Sequence, residues 1–283
     1  MNKITLKAPA KINLILDVLD KRPDNYHNIK TIMHSINLCD VIALEKAEKT
    51  ELITNACLPV GNDNIAVKAA EAFGEKVKIT LEKNIPIAAG MAGGSTDAAA
   101  VLKGMNTLFG NRYSKEELCS IGKTIGADIP FCIIGGTALC EGIGEIITQL
   151  PALPPCFIVT CTPQMQISTA YIYSAIEKLE YKRPDTKGML EALNKDDLSG
   201  VCARLFNVME ALTSGICPDI STIKQILTNF GALGAVQSGS GPTVFGIFDC
   251  RDTAQKAYEK LKQKYAGTFL TSSPDRCSCP RNR

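Results

Sequence analysis

At 283 residues, 45% of them hydrophobic and 21% charged, the chain has the make-up of an ordinary soluble protein, long enough for one large domain or two smaller ones. A formal charge of +2 excludes a strongly basic or acidic body and gives no electrostatic reason to expect nucleic acid or a membrane surface as partner. No uncharged apolar run reaches the ~18 residues of a membrane span, and the opening MNKITLKAPAKINL lacks the apolar core of a secretory signal, so the expected location is cytoplasmic.

The first element reads as a strand. Ile12, Leu14 and Leu16 alternate with Asn13 and Asp17, which predicts one buried face, with Lys11 at the entrance and Asn13 pointing outward. A turn at Pro23-Asp24-Asn25 leads to Tyr26 and His27, a pair able to offer a planar ligand a stacking face and a hydrogen-bonding edge, and then to a second strand ending near Leu44. Asn62-Asp63-Asn64 caps a helix over IAVKAAEAF, and Val77 to Leu81 is a short strand running into a glycine-rich loop.

That loop, PIAAGMAGGSTDAAA from Pro86 to Ala100, is the strongest local signal. Gly90, Gly93 and Gly94 allow successive N–H groups to turn inward into a concave anion site. Ser95, Thr96 and Asp97 are helix-starting residues, and a helix beginning there would aim its unpaired donors and positive dipole end at the same point. Phosphate is the expected guest. The spacing matches neither G-x-x-x-x-G-K-[ST] nor G-x-G-x-x-G.

Beyond the loop, Ser114 and Glu117 stand in the capping-box relation, and Asp128, between Gly126 and Pro130, reads as a turn or cap residue. Gly135 to Leu150 suggests two short strands, Pro151 to Pro155 a linker, and Phe157 to Cys161 a buried strand. Helical patterns follow over Ser168 to Leu179, Asp185 to Leu193, Asp197 to Leu212, Asp219 to Phe230 and Thr253 to Tyr265. A second glycine loop, Gln237 to Gly241, separates two apolar segments as a hairpin turn would, and a strand-like Thr268 to Thr271 precedes a polar tail. Most of the twelve cysteines, scattered through apolar segments, read as small buried hydrophobes, and the closest pair, Cys277 and Cys279, lacks the second pair that zinc requires.

Three separated stretches, PAKINLILDV, PIAAGMAGGSTDAAA and SGSGPTVFGIF, closely resemble in order and content the GHMP kinases. Within that superfamily, DNYHNIKTIMHSINLCDVIAL and GADIPFCIIGGTALCEGIGE are similar to the members acting on 4-diphosphocytidyl-2-C-methyl-D-erythritol in the non-mevalonate route to isoprenoid precursors. The resemblance implies a two-domain α+β fold: a mixed-sheet phosphate-loop domain over residues 1–155, a ferredoxin-like domain over 156–271, a tail over 272–283, and an active site in the cleft between the domains. It implies an ATP-dependent kinase acting on the 2-hydroxyl of that acceptor. Asp128 would accept the hydroxyl proton and Lys11 would offset developing negative charge.

By the same resemblance Pro86, Gly90, Met91, Ala92, Gly93, Gly94, Ser95 and Thr96 hold the ATP phosphates, and Asn64 lies near the adenine. Mg2+ arrives with the nucleotide, with Ser95 the nearest candidate contact and no dedicated protein metal site. Tyr26 and Tyr173 flank the cytosine, His27 hydrogen-bonds to it, Asn13 lies near the erythritol, and Gly239 and Ser240 approach the substrate or its phosphates. Both partners are then small molecules, ATP and a cytidine diphosphate sugar alcohol. Ala92 stands where the family usually has glycine, and Asn25 replaces another glycine but tolerates left-handed dihedrals; Cys132 and His34 also differ from the usual choices. A kinase of homoserine or mevalonate would not need Tyr26 with His27. A nucleotide-binding regulator would not need Lys11 with Asp128, and an RNA-binding or structural role has no support in the near-neutral charge.

Overall fold

The computed structural model describes residues 2–177 and 181–273. Leu179, Cys277, Cys279 and most of the predicted polar tail lie outside them. The chain forms two compact units. One comprises the chain up to Ala10, Leu38–Ile87 and Ala92–Gly135; the other comprises Lys11–Asn37, Ala88–Met91 and the described residues from Gly136 onward. The units interleave along the chain, and strands β1 (Lys3–Lys21) and β2 (His27–Lys46) each run through both.

In the first unit, β3 (Glu51–Thr54) leads to α1 (Ile65–Phe73) and β4 (Val77–Glu82), which pairs parallel with β3 and antiparallel with β2 at Val41–Lys46. Helix α1 forms because local signals agree. Asn64 Oδ1 accepts from the Ala66 N–H at 2.9 Å, the apolar positions bury one face, and Gly74 ends the helix at φ 88. Helix α2 (Gly93–Leu108) packs against α1 and buries the whole run Ala98 to Leu102. Its Gly104 lies so close to the sheet that a Cβ would come within 2.7 Å of Leu6 and 2.6 Å of Leu44. Helices α3 (Lys115–Lys123), opened by the predicted Ser114–Glu117 capping box, and α4 (Ile129–Ile134) complete the unit.

In the second unit, β5 (Thr137–Glu141) pairs antiparallel with β2 at Thr31–His34 and with β6 (Ile146–Gln149). A separate antiparallel sheet is built from β7 (Phe157–Thr162) with three later strands. Between them come α5 (Thr169–Ile176), α6 (Thr186–Asn194), α7 (Leu198–Cys202), the two-residue strand β8 (Phe206–Asn207), α8 (Glu210–Ile216) and α9 (Asp219–Asn229). Strands β9 (Gly234–Gln237) and β10 (Val244–Phe248), helix α10 (Arg251–Lys262) and β11 (Gly267–Ser272) follow, giving the sheet order β11-β7-β10-β9. The core joins Val159 and Phe248 of this sheet to Ile223 and Leu227 of α9 and Ala257 and Leu261 of α10.

Three local expectations change. The helix predicted over Asp197 to Leu212 is interrupted at Phe206-Asn207, which pairs in parallel with Ile15-Leu16 of β1. There the buried Asn207 amide donates to Gln237 O at 3.0 Å and Gly239 O at 2.8 Å, and Asn207 Oδ1 accepts from the Met209 N–H. Strand β11 extends through Ser272, one residue past the expected Thr271, and the Ser273 N–H donates to Cys156 O. Finally, β1 is buried on both faces from Ala10 to Val18, not on one. The buried cysteines behave as hydrophobes, with burial pushing the Cys161 and Cys202 thiols up to about 12. Among the described residues no helix is long and apolar enough to cross a membrane.

His34 carries a pH signature. Its Nδ1 meets Thr137 Oγ1 at 2.8 Å, its Nε2 is buried without a partner, and burial holds the imidazole down to about 3 from its ordinary 6.5. The unfolded chain therefore binds a proton that the folded chain refuses between about 3 and 6.5. Stability is complete above that window and falls with pH inside it, by at most about 1.4 kcal/mol per pH unit. Urea denaturation of the wild type minus that of His34→Gln, across pH 4–8, is expected to show this slope; parallel curves would contradict it.

Candidate active site

Helix α2 begins at Gly93, two residues before the Ser-Thr-Asp group expected to start it. Its N-cap is Ala92, in the left-handed region at φ 55 and ψ 32, and makes no side-chain cap. The consequence is chemical. An α-helix leaves its first N–H groups without internal partners, so those of Gly93, Gly94 and Ser95 remain available to a ligand at the positive end of the dipole. The first helical bond is Thr96 N–H to Ala92 O at 2.9 Å. An alanine in this conformation is strained by about 1–2 kcal/mol, which glycine would avoid; Asn25, at φ 66, adopts the left-handed conformation its residue type tolerates. In the same turn Ser95 is half-buried, and Thr96 Oγ1 is buried without a partner. Pro86 is half-buried and Met91 buried.

Beneath this turn lies a cluster that no sequence motif marks. Lys83 Nζ donates to Asp97 Oδ2 at 2.7 Å and to Asp40 Oδ2, and all three side chains are buried. Asp40 Oδ1 also accepts from the Asn84 and Ile85 N–H groups at 2.6 and 2.8 Å. A Cβ on Gly93 would lie 3.2 Å from Lys83 Nζ, so the ammonium sits directly under the start of α2. Burial pushes the Asp97 carboxyl up to about 7; Lys83 opposes the shift and the Asp40 charge adds to it. Elsewhere in this unit, Asn64 is committed to capping α1 and donates its amide to Pro59 O at 2.8 Å. Asp128 occupies the N-cap position of α4, half-buried, without capping the helix through its side chain.

In the second unit Lys11 is 4% exposed, with Nζ donating to Asn13 Oδ1 at 2.7 Å and Gly90 O at 3.0 Å. Asn13 points inward, contrary to expectation. Thr31 explains its orientation: Thr31 Oγ1 spends its one proton on Ile15 O at 2.6 Å, so it must accept from Asn13 Nδ2 at 2.8 Å, which turns Asn13 Oδ1 toward Lys11. Ser238 Oγ also donates to Gly90 O, at 2.9 Å. Thr31→Val leaves the Asn13 amide buried and unpaired; the expected loss is about 1–3 kcal/mol in urea denaturation, with a fall in kcat of roughly tenfold as Asn13 is freed to turn.

The two glycine loops meet beside this ammonium. A Cβ on Gly90, at φ 76, would lie 2.2 Å from Ser238 O; one on Gly239, at φ 56, would lie 2.9 Å from Gly90 O and 3.3 Å from Lys11 Nζ. Gly90→Ala is therefore expected to cost about 2–4 kcal/mol, against no measurable change for Gly61→Ala, where nothing lies within 4 Å. Thermal melts of the two variants check this. Ser240 Oγ pairs with Thr169 Oγ1 at 2.8 Å on the surface.

His27 and Tyr173 come together, their rings stacked at 5.2 Å between centroids and 24° between planes. Tyr26 remains 60% exposed. His27 Nε2 lies 2.9 Å from Glu177 Oε1, and both residues line a cavity of about 660 Å³ with Leu19, Lys21, Tyr181 and Arg183. Asp97 lay in plain view in the glycine motif, but Lys83, Asp40, Thr31, Ser238 and Glu177 carry no local signal; each is an ordinary polar residue until the fold supplies its partners.

Residues 64–136 match the family model for the GHMP kinases N-terminal domain, and residues 189–267 that for the GHMP kinases C-terminal domain. A 4-diphosphocytidyl-2-C-methyl-D-erythritol kinase of Caldicellulosiruptor saccharolyticus is 47% identical over 278 residues, covering 95% of this chain and 96% of the relative. One of Clostridium tetani is 43% identical, covering 95% and 99%. The crystal structure of a 4-(cytidine 5'-diphospho)-2C-methyl-D-erythritol kinase, 30% identical, matches with a TM-score of 0.80 over 95% of this chain and 98% of that one. A homoserine kinase of Cytophaga hutchinsonii, 19% identical, shares the fold with a TM-score of 0.70 over 96% of this chain and 95% of that one. The chain belongs to the GHMP kinases, in the same family as these 4-diphosphocytidyl-2-C-methyl-D-erythritol kinases.

Proposed function

We propose that this kinase transfers the γ-phosphoryl group of ATP to the 2-hydroxyl of 4-diphosphocytidyl-2-C-methyl-D-erythritol in the cytoplasm, with Lys11 and Asp128 as its catalytic residues. The observation that carries this reading is the buried Lys11 ammonium, held by Asn13 and Gly90 where the two glycine loops touch. A fixed cation of this kind offsets charge developing on the transferred group, which is most of what phosphoryl transfer asks of a protein. Asp128 takes the proton of the acceptor hydroxyl as that oxygen bonds to the γ-phosphorus. The bond from the γ-phosphorus to the bridging oxygen breaks, and ADP leaves with the electron pair.

The N–H groups at the start of α2, with Pro86, Gly90, Met91 and Ala92 shaping the loop before them, receive the phosphates, and Asn64 stands near the adenine. Magnesium belongs to the nucleotide as its counter-ion. The donors at this turn, Ser95 and the unpartnered Thr96 Oγ1, suit an ion delivered on phosphate, with Ser95 as protein contact. Among the described residues no group of three or more His, Cys, Asp or Glu could hold it alone. Tyr26 and Tyr173 flank the cytosine and His27 hydrogen-bonds to it, Asn13 lies near the erythritol, and Gly239 and Ser240 approach the substrate or its phosphates. The product identifies the reaction: 31P–13C coupling is expected to place the new phosphomonoester on carbon 2 of the erythritol, and coupling to any other carbon would contradict the assignment.

A further inference from the structure

We propose that Glu177 is a positioning residue that fixes the tautomer of His27, leaving Nδ1 as a bare acceptor that selects an amino pyrimidine over a keto pyrimidine. The inference rests on the reading that His27 meets the base, and deepens it.

Glu177 Oε1 lies 2.9 Å from His27 Nε2 and 3.1 Å from Lys21 Nζ. The hydrogen bond from Lys21 holds the Glu177 carboxyl below its ordinary range, so it is ionised at neutral pH and can only accept. Nε2 must then carry the hydrogen. A neutral imidazole with hydrogen on Nε2 presents a lone pair at Nδ1, and that atom makes no hydrogen bond among the described residues. The ring cannot readily turn over to exchange its two nitrogens, because it is stacked on Tyr173 and its side chain is only 6% exposed.

The chemistry of the choice follows. The exocyclic amine of cytosine donates a hydrogen bond; uracil carries a carbonyl oxygen at the same place, which would face the Nδ1 lone pair with no proton between them. A site built to pair one group rejects the analogue lacking it far more strongly than shape alone allows. The cavity lined by His27 and Glu177, about 660 Å³, is within the range that holds a nucleoside-sized ligand.

The test compares wild type, Glu177→Ala, Glu177→Gln and His27→Ala at pH 8, with the cytidine acceptor and its uridine counterpart. Only two histidines exist in the chain, so 15N imidazole spectra assign His27 directly. The wild type is expected to show a protonated Nε2 and a bare Nδ1. Glu177→Ala is expected to mix the tautomers, raise KM for the cytidine acceptor about tenfold with kcat within about twofold, and lower the cytidine-over-uridine preference about tenfold. Glu177→Gln, whose amide oxygen accepts the same hydrogen, restores most of both. A protonated Nδ1 in the wild type, or an unchanged preference in Glu177→Ala while His27→Ala loses binding, would overturn this proposal alone. If His27→Ala binds the cytidine acceptor normally, the base-site reading falls and this proposal with it.

Discussion

Asp128→Asn is expected to lower kcat by about 10²–10⁴-fold while KM for ATP and for the acceptor stay within a few-fold. The asparagine keeps the size of the side chain but cannot take the hydroxyl proton, so the loss falls on the chemical step and not on binding. The Asp128 side chain does not cap α4, and its backbone oxygen, which accepts from the Cys132 N–H at 3.1 Å, is unchanged by the substitution. Rapid-quench single turnover with both substrates saturating reads the step directly. An unaltered single-turnover rate would mean that the proton goes elsewhere.

Lys83→Met is expected to destabilise the protein by about 3–5 kcal/mol at pH 8, because it leaves Asp40 and Asp97 buried without their shared cation. The pH dependence follows from Asp97. Its folded carboxyl titrates near 7 and its unfolded one near 3.8, so the proton's contribution to stability is complete below 3.8 and is lost as pH rises toward 7. Removing Lys83 removes the interaction that opposes this upward shift, so the variant's deficit should be smaller at pH 6 than at pH 8. Adding Asp97→Asn should recover part of it by removing one of the two charges. Urea denaturation of the three proteins at both pH values checks this. Equal deficits at pH 6 and 8, with no recovery in the double variant, would show that the cluster is not held by charge.

These predictions draw on different parts of the chain, and the parts differ in how far the sequence discloses them. Where a signal is local, residues alone suffice. Asn64 and Gly74 bound α1, Ser114 and Glu117 open α3, and the glycines of the first loop announce a helix start. Family motifs extend this to the fold and to candidate roles for Lys11 and Asp128. What stays hidden is decided by partners remote in sequence. Asn13 reads as an outward residue of a half-buried strand, yet both faces of β1 are covered there and Thr31 takes its amide. Asn207 sits in a helical pattern, but its amide is drawn to the carbonyls of Gln237 and Gly239, and a short strand replaces the helix turn. Lys83 at a strand end reads as a solvated charge until Asp40 and Asp97 surround it. Ala92 works the other way: the sequence marks it as a departure from glycine, and the backbone shows the cost, a left-handed alanine at the helix cap.

The most direct measurement is ADP release by the purified kinase with ATP and magnesium, offered in turn 4-diphosphocytidyl-2-C-methyl-D-erythritol, homoserine and mevalonate. Turnover with the cytidine acceptor alone is the predicted result. Preference for either of the other acceptors would contradict the substrate assignment, and ATP binding without turnover on any of them would show a nucleotide-binding regulator.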